Sequence, residues 1–445
     1  MKIVNVGPIK NVDITFSQYT LLCGANNTGK TYLSYIIYSV VHVIKYTTFS
    51  FVKRDDLDDL HATGTITIPF SKITNVIFGN VQKQFISPQD ILASTFMTSA
   101  ETFKDSKIII DEVDVQQICD VMKLLHGLSH KNYSSENDAI TQSKLLKNYG
   151  ISFANDELVI SLNGEGMKAN DREDYFINRT ISNIISNSIN VLYFPAERIG
   201  LNVFRNELNE ERLNKYSIIN DLFVGMGKQS SKKNDDYISL LNKILGNNNR
   251  YPQPISDYLS FINRSQLFVV RSDITSSLID FYQTDLIEGK FELDESEGIY
   301  FRRILGTKRY YSERIPFHIL SSMQKSLFGL QFFINEMDYS EINILIIDEP
   351  ELNLHPQKQL KLIELFELLV SSQVKLFITT HSDYVVRKMY NEILKNEDIQ
   401  NQDRSMYLMK GGNARKVDLN DGNQVYLNFK KASDDLDDEY YNLIK

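Results

Sequence analysis

The stretch Gly24-Ala25-Asn26-Asn27-Thr28-Gly29-Lys30-Thr31 constrains this chain more than any other. It has the spacing GxxxxGK[ST], and it lies between an apolar run, Tyr19–Cys23, and a run of helical periodicity from Thr31 to Lys45. Chemistry explains the residue types. Glycines let the backbone turn tightly, so that successive N–H groups converge on phosphate oxygens, and the helix N-terminus adds its partial positive charge. Lys30 supplies a full charge and Thr31 a hydroxyl for a divalent cation. A strand, a loop and a helix in this order set the expected fold class as α/β.

A chain of 445 residues is too long for one simple core and too short for several independent enzymes, so one large composite domain or two domains is expected. Its 42% hydrophobic and 24% charged residues are those of an ordinary globular protein. The net charge of -9 argues against a surface that grips nucleic acid everywhere, and leaves room for a local basic stripe. Cys23 and Cys119 are the two cysteines and form no CxxC pair, which excludes a disulfide framework or a cysteine zinc site and fits a reducing cytosol. The start MKIVNVGPIKNVDITF lacks the features of a signal peptide. YLSYIIYSVVHVI, Tyr32 to Ile44, is too short to span a bilayer and reads as a buried helix. The expected location is cytoplasmic, with no membrane partner.

Lys2–Val6 and Val12–Phe16 read as strands paired around a Gly-Pro turn, and Tyr19–Cys23 as a third. Lys107–Ile110 and Glu157–Leu162 also read as strands, and Gln116–Gly127 as one helix. From 201 to 275 helical spacing, broken by GNNNRYPQP, suggests a helical insertion. No heptad pattern persists, so a long coiled-coil arm is not expected, and there is no internal repeat.

A nucleotide site also needs a carboxylate for Mg²⁺ and a group that activates water. Two apolar runs end in Asp-Glu: KIIIDE at 107–112 and INILIIDEPE at 342–351. The first continues as VDVQQICDVM, a plain amphipathic helix; the second continues as ELNLHP.

ELNLHP resembles the D-loop of ABC-type ATPases, and LFITTHS at 376–382 resembles their next core strand, which ends in a switch histidine, here His381. Leu320-Ser321-Ser322-Met323-Gln324 sits where their LSGGQ-like signature belongs. With IKNVDITFSQYTLLCGANNTGKT and VLYFPAERIG at 191–200, the chain resembles the ABC-type ATPases of the RecF, SMC and OLD group. Within that group it is most like the ATPase subunits of the PARIS and Septu anti-phage systems. The resemblance implies an ABC-type P-loop ATPase head, a mixed β-sheet with flanking helices and an antiparallel β part, with inserted helical regions. The implied layout is an N-terminal ATPase lobe with the P-loop at 1–70, an inserted α+β region at 71–185 and a core strand and loop at 186–200. A helical insertion at 201–275, a C-terminal lobe with signature, Walker B, D-loop and switch histidine at 276–430, and an acidic tail at 431–445 complete it.

The resemblance also implies roles. ATP would lie against Gly24, Asn26, Asn27, Gly29, Lys30, Thr31 and Tyr32; Thr31 and Asp348 would hold Mg²⁺. Glu349 would polarise the attacking water, and His381 would contact the γ-phosphate, completing a catalytic set with Lys30. ATP would be sandwiched in a homodimer, with Ser321, Ser322 and Gln324 reaching the partner's nucleotide and Asn353 and Leu354 at the seam. Two departures stand out: Ser322-Met323 replaces the double glycine of the signature, and no plain glutamine loop is present. Arg198 or Glu197 fills that place, or forms a structural ion pair. The run 320–324 also reads as an N-cap and first turn, and TTHSD as a strand-to-helix turn. His355 reads as structural, and SDDLDDEYYNLIK as a solvated or partner-docking tail.

Three functions follow from the group. One is a sensor ATPase of an anti-phage system, paired with a separate effector, a nuclease or toxin, and triggered by nucleic acid or a phage protein. The others are a RecF-like DNA-repair ATPase and a scaffold that ATP locks with little turnover. OLD nucleases append a Toprim nuclease domain; the stretch after His381 is too short for one, so the chain is expected not to be a nuclease.

Overall fold

The computed structural model describes residues 1–129, 149–162, 173–205, 207–208, 251–264, 273–294, 298–306, 310–338, 341–395, 403–419 and 441. Its strands are β1 (Lys2–Val6), β2 (Ile9–Asp13), β3 (Tyr19–Gly24), β4 (Thr65–Pro69), β5 (Lys107–Ile109), β6 (Tyr149–Ala154), β7 (Glu157–Leu162) and β8 (Ile189–Phe194). Beyond them come β9 (Gly289–Asp294), β10 (Gly298–Leu305), β11 (Tyr310–Tyr311), β12 (Ile315–Pro316), β13 (Ile342–Asp348), β14 (Lys375–Thr380), β15 (Arg404–Lys410) and β16 (Asn413–Lys416).

Nine strands form one mixed sheet in the order β5-β1-β2-β16-β15-β3-β14-β13-β8. The run from β15 to β8 is parallel throughout. β13 is buried at every position, as a strand covered on both faces must be. β1 pairs antiparallel with β2 and β5, and β16 with β15. This is the expected α/β head with its antiparallel part. The helix Lys30–Tyr46 leaves the end of β3 and packs across β3, β14, β13 and β8, its length buried from Leu33 to Val41. Two small sheets flank the large one: β4-β7-β6, and β9 to β12 around β10. Phe291 of β9 meets Phe328 edge to face, ring centroids 5.1 Å apart, and so ties the second small sheet to the helix Ser322–Glu336.

Several expectations need correction. The second strand is Ile9–Asp13, not Val12–Phe16, because the Gly7-Pro8 turn is so tight that Val6 already pairs with Ile9. Gln116–Gly127 is not one helix: Cys119, fully buried with extended φ/ψ, ends the helix Glu112–Ile118, and Asp120 opens the helix Val121–Ser129 by accepting from Lys123 N–H at 3.0 Å. β5 lies inside the 71–185 region yet joins the large sheet at β1, and β4, before residue 70, pairs with β7 beyond it. Most of 201–275 and the tail 431–445, apart from Tyr441, fall outside the described residues. The hairpin at Lys410–Asn413 forms, as does a helix after Ser382, Asp383–Lys395. Cys23 and Cys119 are buried free thiols, and burial pushes each up to about 12. Among the described residues no helix is long and apolar enough to cross a membrane.

Candidate functional site

The loop between β3 and the helix Lys30–Tyr46 needs its glycines. Gly24 has φ +146, and a Cβ there would stand 2.4 Å from the Met409 carbonyl oxygen; Gly29 has φ +98 and a Cβ would stand 2.8 Å from Ile9 Cγ1. Ala25, Asn26 and Asn27 form the exposed crown, with Asn27 at φ +60. Lys30 Nζ donates to the carbonyls of Gly24 at 3.0 Å and Ala25 at 2.8 Å, and lies 3.3 Å from His381 Nδ1. Burial lowers the pKa of this ammonium, against the pull of Glu349 and Asp348. Tyr32 packs its ring on Phe96, centroid to centroid 4.8 Å, and on Gly7.

Of the two acidic runs, the one at 342–351 reaches the loop. Asp348 ends β13, two strands from β3, and is buried against the first turn of the loop's helix. Its carboxylate accepts from Ser34 Oγ at 2.6 Å, Tyr193 OH at 2.8 Å and Thr379 Oγ1 at 3.0 Å, and the Thr31 hydroxyl lies near enough to act on its pKa. Burial raises its pKa, and these four hydroxyls oppose the rise. In KIIIDE, by contrast, β5 is an edge strand and Asp111 spends its carboxylate capping the helix Glu112–Ile118, accepting from Asp114 N–H at 2.8 Å. That run takes no part in the site.

Glu349 adopts φ +46, a left-handed conformation that is rare for a residue with a Cβ, and its N–H donates to the Thr379 carbonyl at 3.0 Å. His381 Nε2 lies 2.6 Å from Glu349 Oε1, and Nδ1 lies 2.8 Å from the Gly24 carbonyl. The histidine therefore bridges the acidic turn and the loop. Its backbone N–H donates to Glu351 Oε1 at 2.8 Å, which also accepts from Thr380 Oγ1 at 2.7 Å and Ser382 N–H at 3.2 Å.

The remaining expected residues lie elsewhere. Ser321 is the N-cap of the helix Ser322–Glu336, exchanging hydrogen bonds with Gln324 in a capping box; Ser321 and Ser322 are exposed, and Gln324 is buried in the box. Asn353 is exposed at φ +64, and Leu354 beside it is buried. His355 caps the helix Pro356–Ser371, the structural role expected of it. Arg198 forms no structural ion pair among the described residues: it is fully buried and donates to five backbone carbonyls. Glu197 beside it is exposed.

A family model for the AAA ATPase domain matches residues 1–386. The chain belongs to the AAA ATPase domain family. No curated protein matches the sequence. Similar solved structures include the Smc head domain with an extended coiled coil bound to the C-terminal domain of ScpA, derived from Pyrococcus furiosus, at 13% identity over 94% of each chain and a TM-score of 0.33. Another is the SmcHead bound to the C-winged helix domain of ScpA, at 12% identity over 94% of this chain and 95% of that one, with a TM-score of 0.34.

Within this ATPase domain the structure adds residues that sequence reasoning passed over: Ser34, Tyr193 and Thr379 around Asp348, and Glu351 under His381. Ser34 carried a signal, since it stands four residues after Lys30 and so on the same helix face. The burial of Asp348 carries a desolvation penalty for its charged form. Because the folded pKa of Asp348 is raised, its charged form destabilises the fold above that pKa, and mild acid relieves the penalty as the folded state takes up the proton before the unfolded chain does. Asp348→Asn, which removes the charge and keeps the shape, is expected to raise the thermal midpoint by about 1–3 °C. Calorimetry of the nucleotide-free protein checks this; a midpoint several degrees lower would show the carboxylate to be stabilising.

Proposed function

We propose that the chain binds ATP with Mg²⁺ at the Gly24–Thr31 loop and hydrolyses it at Asp348, Glu349 and His381, with the nucleotide closed between two protomers. The observation that carries this reading is the convergence of three distant segments: Lys30, the turn at 348–349 and His381 are linked by contacts of 2.6–3.3 Å. The donor set fits Mg²⁺, since one ionisable carboxylate stands beside the Thr31 hydroxyl at the mouth of a phosphate loop. When bound, the ion neutralises phosphate charge and helps orient the phosphates. Lys30 would pair with the β and γ phosphates, Glu349 would orient water and take its proton, and His381 would contact the γ-phosphate.

Ser321 and Ser322 stand exposed at the N-terminus of a 15-residue helix, where backbone N–H groups and the helix dipole favour an anion. They would serve the partner's nucleotide, with Asn353 beside them at the seam. ATP with Mg²⁺ is therefore expected to drive dimer formation, and Ser321→Arg to weaken it by about tenfold or more by placing bulk and unpaired charge at the contact. Sedimentation of both proteins, with and without nucleotide, is the check; a mass that ignores nucleotide and variant alike counts against the two-protomer site.

The cellular role we infer is that of a cytoplasmic sensor subunit in an anti-phage system, which holds or releases a separate nuclease or toxin when nucleic acid or a phage protein triggers it. The likeness of VLYFPAERIG to the OLD-like ATPases, with modest insertions and no heptad pattern of a long arm, supports it, and the destructive activity is assigned to the partner. One observation favours the DNA-repair reading instead. Lys290, Arg302 and Arg314 gather around Glu292 on the β9–β10 sheet, with Lys290 4.5 Å from the Tyr311 ring centroid, a basic and aromatic face on an acidic protein. Tight, salt-sensitive duplex binding by the isolated protein would favour that role.

A further inference from the structure

Arg198 carries its charge into the core without a carboxylate partner among the described residues. Its Nε donates to the Ser326 carbonyl at 3.1 Å; Nη1 donates to Pro195 at 3.1 Å and Asp348 at 3.0 Å; Nη2 donates to Glu349 at 2.9 Å and Pro350 at 3.2 Å. Burying a guanidinium on backbone oxygens alone is an expensive way to fill a core, and an apolar side chain would do it more cheaply. What the planar fork provides is a rigid hydrogen-bonded link between the Ser326 carbonyl, near the start of the helix that Ser321 caps, and three successive carbonyls of the acidic turn. Asn202 grips the same helix turn, donating to the Lys325 carbonyl at 2.8 Å, and Tyr258 OH donates to Asn202 at 2.8 Å.

The acidic turn is also held from its other end. Glu351 accepts from the Thr380 hydroxyl and from the N–H groups of His381 and Ser382 through Oε1, while its Oε2 is buried with no hydrogen-bond partner among the described residues. Glu349 sits between these two anchors at φ +46, a strained conformation that persists only where its surroundings enforce it. A small shift of the helix Ser322–Glu336 would therefore be felt at Glu349 and at His381 together, because both hang on residues 348–351.

We propose that Arg198 and Glu351 form a relay, through which a protomer's catalytic turn responds when its exposed Ser321–Ser322 helix end engages the nucleotide of its partner. Both are positioning residues: Arg198 acts on Glu349, and Glu351 on His381. The relay rests on the two-protomer reading given above, and it predicts that the two sites fire cooperatively.

ATP titrations of steady-state turnover in the full chain test it. The wild type is expected to give a Hill coefficient of about 1.5, under the ceiling of two set by two sites. Arg198→Lys, which keeps the charge and loses the fork, is expected to bind ATP within about twofold of wild type and to dimerise with it. Its kcat should fall by about tenfold or more, at nearly unchanged KM, and its Hill coefficient should drop to one. Glu351→Ala at the far end should reproduce the loss of cooperativity, and Glu351→Gln, which keeps the Oε1 acceptor, should restore it. If Arg198→Lys does not fold, the Glu351 pair decides alone. Wild-type kcat and cooperativity in Arg198→Lys would overturn the relay. So would equal losses of ATP affinity, dimer and turnover, which mark a merely structural residue. Failure of the underlying reading looks different: a wild type without turnover or ATP-driven dimerisation removes the two-protomer site itself, whereas wild-type turnover with a Hill coefficient of one removes the relay only.

Discussion

Lys30→Ala is expected to weaken ATP binding by about 10–100-fold and to reduce turnover by about a thousandfold or more. The first figure is the scale of one charge-assisted hydrogen bond lost to a phosphate; the second reflects charge that grows on the phosphates in the transition state and that Lys30 is placed to neutralise. The fold should survive the change. Lys30 is buried and its pKa is lowered by that burial, so its charged form brings a desolvation penalty that alanine does not. The carbonyls of Gly24 and Ala25 and His381 Nδ1 lose a partner; the Gly24 carbonyl keeps His381 Nδ1 at 2.8 Å, and Ala25 lies at the exposed crown. The same lowered pKa carries a pH consequence. As pH rises, Lys30 loses its proton below the ordinary lysine value, so ATP affinity should decline earlier on the alkaline side than a solvent lysine would give. Calorimetric titration of ATP into wild type and variant, with thermal midpoints alongside, checks the set. Unchanged affinity in a folded Lys30→Ala protein would sink the assignment of the loop.

How much of this was legible before the structure depends on how local the signal was. The strand, loop and helix around Lys30 are contiguous, and so are β13 with its acidic end and β14 with His381; each was found where its residues said. Two apolar runs ending in Asp-Glu could not be told apart by motif alone. What separates them is position in the sheet: β13 is central and buried throughout, whereas on edge strand β5 Ile109 is 59% exposed. The misplaced second strand has a similar cause. Val12, Ile14 and Phe16 are indeed all buried, but the backbone ladder stops at Asp13, and burial alternation does not report where pairing ends. At 320–324 the structure shows the N-cap reading, and this does not exclude the signature role proposed above. A helix that caps itself with Ser321 presents at that same end N–H groups that an anion could use, so the cap and the proposed role are compatible. Arg198 was not legible in its role, because its partners are backbone oxygens from three segments, and carbonyls leave no trace in a sequence.

Glu349→Gln is expected to leave ATP binding within about threefold of wild type and to lower kcat by about 100–10,000-fold, the range a positioned general base supplies. The structure says why the two parameters should part. Glutamine keeps the length and the Oε1 acceptor that meets His381 Nε2 at 2.6 Å, and the left-handed backbone is enforced from outside the side chain, by the Thr379 carbonyl at its N–H and by Arg198 at its carbonyl. What is lost is the ability to take a proton from water. Nucleotide should then be held between protomers without being spent, so the variant should sediment as a dimer in ATP long after wild type has returned to its nucleotide-free mass. If the chain governs a separate effector, that trapped state fixes the effector's fate. Affinity purification of Glu349→Gln from its native host should differ from wild type in the same one or two associated proteins, either retained or already released, while Lys30→Ala should give the opposite pattern. Turnover within tenfold of wild type would remove Glu349 from the role of base. Identical associated proteins in wild type and both variants would separate the ATPase cycle from partner control, and leave the enzyme without the regulatory task proposed for it.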